Sequence, residues 1–211
     1  MIKISLKGLA KFMTGGAAAQ RKILWDFKHP DPEGSAQARY YKEARDRIAA
    51  FHGHQHADGW LSQQAGTIAS HALTSAPAAK VRLQNNARAL RAYERHFGDR
   101  QFEILPDLSL ELTYSGVRVS VQPDLHVREL GREKIIKLEF SKKEPNAKAV
   151  KIMAQGLFEA ATKAALGLSS TDVLYLDCVR GTAHKGARVG ARMGKEIEAA
   201  CQNIAALWPG I

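Results

Sequence analysis

Cysteine is scarce in this chain: 211 residues contain only Cys178 and Cys201. That excludes a disulfide-built scaffold. One cysteine lies in an apolar run and the other in a helix pattern, so both read as buried, reduced thiols of a cytoplasmic protein. No stretch approaches the roughly 20 apolar residues of a membrane span. The first 25 residues contain no acid and several lysines, as transit peptides do. They lack a hydrophobic signal region and a small-residue cleavage site, so folded protein is expected from the start. There is no internal repeat and no low-complexity tract.

Acids are also in short supply, 21 Asp and Glu against 31 Lys and Arg, a formal charge of +10. The excess favours a polyanionic partner. Nucleic acid comes before membrane, because no lysine-rich amphipathic membrane helix stands out. A merely basic protein is the plainer alternative. The hydrophobic share of 45% and charged share of 25% are ordinary for one globular domain with a full core.

Helical spacing comes first along the chain. Two pieces break at Gly15 and Gly16, a Pro- and Gly-containing loop follows, and a helix starts with Ser35 as its N-cap. "WLSQQAGTIASHAL" and a long basic helix ending at Gly98 complete a helical region, 1–77, that leads into a core, 78–211, in one compact unit. The period then changes to two. "FEIL", "LSLELTY", "VRVSVQPDLHVREL" and "EKIIKLEFS" read as strands. A helix over 146–167, a buried strand "DVLYLDCVRG" and a closing helix follow. The fold class expected is α/β.

The stretch "KIIKLEFSKKEP" alternates Ile136, Leu138 and Phe140 with Lys137, Glu139 and Ser141, one apolar face against one ionisable face. A two-residue turn at Gly131-Arg132, of type II′, predicts a hairpin with Asp124 opposite Glu139 and His126 opposite Lys137. Opposed Cβ atoms lie about 4.5–5.5 Å apart, so two carboxylates there repel unless a positive charge sits between them. Mg²⁺, or Mn²⁺, suits such oxygen ligands. Spacing alone leaves a second account level with it: a solvated face on which Lys137 balances both acids.

"PDLHV", the hairpin and "LEFSKK", set between helices and a following strand, resemble the PD-(D/E)XK nuclease superfamily, in its RecB-like exonuclease branch. The resemblance covers about half the chain and implies an α-β-β-β-α-β core over residues 78 to about 180. It implies Asp124 and Glu139 as metal-binding acids, with Mg²⁺ as cofactor and DNA as substrate. The lysine of that pattern falls on Ser141. Lys137, Lys142, or Lys148 and Lys151 on the next helix are the candidates to replace it. Gln155 stands where the branch places its helical glutamine, with Glu159 in the place of the tyrosine.

Glu94 is a candidate third metal acid, and otherwise a surface charge. His52, His54 and His56 with Asp58 form an H-x-H-x-H cluster that points either to a transition-metal site or to a polar loop. Residues 180–195 bring Arg180, Lys185, Arg188 and Arg192 among glycines, with no acid, a composition suited to phosphate contact. Three functions follow in order: a metal-dependent deoxyribonuclease, a catalytically inactive nucleic-acid-binding module of the same fold, and a histidine-based metal-binding or interaction protein.

Overall fold

The computed structural model describes residues 1–30, 40–186 and 191–211. The expected cap at Ser35 and the loop over 31–34 lie outside them. Among the described residues there are seven α-helices and two mixed sheets, a mixed α/β protein. Among the described residues no helix is long and apolar enough to cross a membrane.

The chain begins with a short strand, β1 (Ile2–Ser5), followed by α1 (Leu6–Thr14) and α2 (Ala17–Lys28). The Ser5 hydroxyl accepts from the Gly8 N–H, satisfying one of the open donors at the start of α1. Three helices follow: α3 (Lys42–Gly53), α4 (Trp60–Leu73) and α5 (Pro77–Phe97). The strands are β2 (Glu103–Ile104), β3 (Leu110–Tyr114), β4 (Val117–Val121), β5 (Leu125–Glu129) and β6 (Arg132–Glu139). Helix α6 (Ala147–Lys163), strands β7 (Val173–Asp177) and β8 (Thr182–Lys185), and helix α7 (Ala191–Leu207) complete the order.

The long strand expected across residues 117–130 divides at 122–124. Pro123 has no N–H to give to a ladder, and the chain leaves one sheet there for the other. Strand β4 pairs with β3 and, in parallel, with the unexpected β1. Strand β5 belongs to the larger sheet, ordered β2-β5-β6-β7-β8, in which β6 and β7 run parallel and the other pairs antiparallel. Strand β8, also unexpected, lies inside the basic stretch 180–195.

The larger sheet is covered on both faces. Leu125, Val127, Ile136, Leu138, Leu174 and Leu176 pack against α3, α4 and α5. Ile135, Val173 and Tyr175 face the other way, into a core with the small sheet, α1, α6 and α7. This explains why every residue of β7 is buried: a strand covered twice reads as a continuous apolar run. Residues 1–28 therefore share a core with the strands and do not stand apart from them.

The β5–β6 turn is Leu130-Gly131, not Gly131-Arg132. Both residues have positive φ, 50° and 76°, the geometry of a type I′ turn, whose twist matches that of the flanking strands. Leu130 is 93% exposed and makes no use of its side chain there. Leu130→Asn, which favours this backbone region, is expected to stabilise the protein by about 0.5–1 kcal/mol. The thermal midpoint should rise by about 1–4 °C for a chain of this size; an unchanged or lower midpoint would show that the turn differs.

Candidate functional site

Moving the turn by one residue shifts the hairpin register by two. The faces are preserved, because side chains alternate with period two, but the partners change. Leu125 lies opposite Ile136 and His126 opposite Ile135. The Asp124 N–H donates to the Ile136 carbonyl at 2.8 Å, placing Asp124 beside Lys137 and not beside Glu139. On the other side of β6, Lys137 neighbours Tyr175 and Glu139 neighbours Asp177. The ionisable face thus collects Asp124, Lys137, Glu139, Tyr175 and Asp177.

Each acid is answered by its own donors. Asp124 Oδ1 accepts from Lys137 Nζ and from an Arg45 guanidinium nitrogen, both at 3.0 Å, and Oδ2 accepts from the Leu138 N–H at 2.8 Å. Its side chain is only 5% exposed. Glu139, at 12%, accepts through Oε2 from Lys7 Nζ at 3.3 Å and the Tyr175 hydroxyl at 3.0 Å. Its Oε1 accepts from the Phe140 and Ser141 N–H groups. Burial pushes the Glu139 carboxyl up, but Lys7, the Ser141 N–H and the Tyr175 hydroxyl outweigh it and hold the group below the usual carboxylate range. Burial, with Glu139 beside it, pushes the Tyr175 phenol up, so it donates and stays protonated. Asp177, fully enclosed, accepts from the Val179 and Arg180 N–H groups and from the Arg180 guanidinium at 2.8 Å.

Two carboxylates are donors that suit a hard divalent ion, but most of their lone pairs are already engaged. Six of the seven bonds to Asp124 and Glu139 fall on Asp124 Oδ1 and the two Glu139 oxygens, about two to each, and Asp124 Oδ2 takes the seventh. In this arrangement the residues do not fit Mg²⁺. Among the described residues no three His, Cys, Asp or Glu side chains gather as a metal-holding group.

The other expected site residues are dispersed. Glu94 caps α4, accepting from the Leu61 and Ser62 N–H groups at 2.9 Å, where the open donors and dipole of a helix start attract a carboxylate. Gln155 is buried beside the small sheet. Its amide donates to Glu159, which also accepts from the Tyr114 hydroxyl, so it serves α6 packing and does not reach the acid pair. Strand β6 ends at Glu139, and Lys142 is exposed beyond it, its carbonyl accepting from Arg180 at 2.6 Å. Arg180 is therefore committed to Asp177 and this loop. Lys185 is exposed on β8, Arg192 pairs with Glu196 one helical turn on, and Arg188 lies outside the described residues. His52 is buried against Tyr93 at 2.8 Å, while His56 stacks on Trp60 with ring centroids 4.0 Å apart. The histidines are thus divided between a core and a surface stack.

Sequence reasoning did not find Lys7, Arg45, Tyr175 and Asp177. The alternation of β7 carries a signal for the last two. Nothing in spacing marks Lys7 or Arg45, which arrive from helices 132 and 79 residues away from their acids. The chain matches no protein-family model, and no curated protein shows significant similarity to it.

Proposed function

We propose that this chain is a nucleic-acid-binding module on a core of PD-(D/E)XK nuclease type, in which the acid pair serves structure and not hydrolysis. The element order α5-β2-β5-β6-α6-β7, with β6 parallel to β7, is consistent with the α-β-β-β-α-β arrangement of that superfamily; the β3–β4 hairpin is then an insertion. The observation that carries the binding reading is a group of lysines about the end of β6 and the start of α6, with one more on the edge strand β8. Lys142 and Lys143 follow β6, Lys148 and Lys151 begin α6, and Lys185 lies on β8. All are exposed, and among the described residues none has a carboxylate partner, with Glu144 the one exposed acid in the 142–151 segment. Such lysines neutralise phosphates and release counterions, giving affinity without sequence preference.

The test is binding of a fluorescent DNA duplex across a salt series, in EDTA and in Mg²⁺. Affinity should fall steeply with salt and be unchanged by EDTA. Replacing Lys142, Lys143 and Lys148 together with Ala should reduce the salt slope by about 2–3. Binding that ignores salt would sink the reading. A second reading, metal-dependent hydrolysis of DNA phosphodiester bonds, draws on Asp124, Lys137 and Glu139 sharing one face. Strand cleavage in Mg²⁺ or Mn²⁺, absent in EDTA, would put it first.

A further inference from the structure

Beyond Asp177 on the same face, a cleft of about 420 Å³ opens between the start of α6 and the β7–β8 edge. One wall is apolar, formed by Pro145, Val150 and Ala154. Lys151 stands on that same α6 wall, and β8 brings Lys185 and His184 to the other side. Neither lysine has a carboxylate partner among the described residues. Asp177, at the floor, would repel an anion if left bare, but its two oxygens are engaged by Arg180 and two backbone N–H groups. The His184 ring stands edge-on to Tyr175, the residue that donates to Glu139, so the cleft adjoins the acid pair. Glu144 also lines the cleft, an acid with no cation partner among the described residues. The volume lies in the range of small-ligand sites.

An apolar wall with one ammonium group beside it and a second on the other side of the cleft matches an organic phosphate that carries a flat ring. We infer that this cleft holds one nucleotide monophosphate, with its phosphate between Lys151 and Lys185 and its base against Pro145, Val150 and Ala154. The inference rests on the nucleic-acid reading for its source, the terminal nucleotide of a strand. A free mononucleotide has the same chemistry.

The full chain should be titrated with fluorescent single-stranded tetranucleotides carrying either a 5′-phosphate or a 5′-hydroxyl, with AMP and inorganic phosphate as competitors. The 5′-phosphorylated strand should bind about tenfold tighter than the 5′-hydroxyl strand, as one or two charge-assisted contacts provide. AMP should compete better than inorganic phosphate. Lys151→Ala with Lys185→Ala should erase the preference for phosphate, and Glu144→Gln should strengthen it. Both lysines are exposed, so these replacements leave the fold intact. Equal binding of the two strands, or a preference that survives the double replacement, overturns the inference. If the duplex binds but the strands are not distinguished, the cleft assignment fails and the nucleic-acid reading stands. AMP binding without any strand or duplex binding keeps the cleft as a mononucleotide site and removes the nucleic-acid reading.

Discussion

Asp124→Asn is expected to destabilise the protein by about 2–3 kcal/mol, with or without EDTA. The carboxylate is nearly enclosed and answers Lys137 and Arg45 together. Neutralising it leaves two cations without their counter-charge and turns an amide toward one of them. Breaking a buried pair on one side costs about 3–5 kcal/mol. A smaller loss applies here because the Lys137 and Arg45 side chains keep 18% and 30% of their exposure. A metal-holding acid predicts the opposite sign, because removing one of two repelling carboxylates relieves the metal-free protein. Urea unfolding in EDTA decides: a variant as stable as the parent, or more so, would mean that the acids repel and await a metal. Mg²⁺ in the millimolar range should leave the parent's midpoint unchanged. A bound ion at a hundred times its dissociation constant would add about 2.7 kcal/mol.

The second large effect belongs to pH. His52 bonds Tyr93 within the core that joins α3 to α5, and burial, helped by the Arg100 charge and opposed by Glu129, lowers its pKa to about 4. Its ordinary value is about 6.5. Between these values the unfolded chain holds a proton that the folded protein refuses, so stability is full above pH 6.5 and falls as pH drops toward 4. The loss over this window is about 3 kcal/mol, levelling off below it. His52→Gln keeps a polar partner for Tyr93 without titrating. Unfolding free energies at pH 7.5 and 4.0 should therefore differ by about 3 kcal/mol less in the variant than in the parent. Equal losses in both would assign the acid sensitivity elsewhere, the depressed Glu139 carboxyl being the next group to examine.

Much of the architecture was legible from local pattern. The period-two face of Ile136, Leu138 and Phe140 packs in one core, as alternation requires, and α4 and the C-terminal helix lie close to their expected bounds. Face assignment survived even where register did not, because the hairpin slipped by an even number of residues. The slip itself was not legible: Leu130 gives no sign that it adopts a positive φ, and glycine at 131 suits either turn position. Strand β1 was hidden in a four-residue segment running directly into a helix, and β8 in a glycine- and lysine-bearing stretch that composition describes as open loop.

By itself the sequence determined the alternating strands, the helical spacing, the ionisable face carrying Asp124, Lys137 and Glu139, and the excess of positive charge. These depend on residues a few positions apart, where backbone geometry dictates which side chains share a side. Only the tertiary structure decided what neutralises the acids. Lys7 and Arg45 are distant along the chain and meet Glu139 and Asp124 because α1 and α3 pack beside the large sheet. Coulomb attraction at 3 Å in a partly enclosed site is strong, yet nothing local to any of these residues encodes the contact.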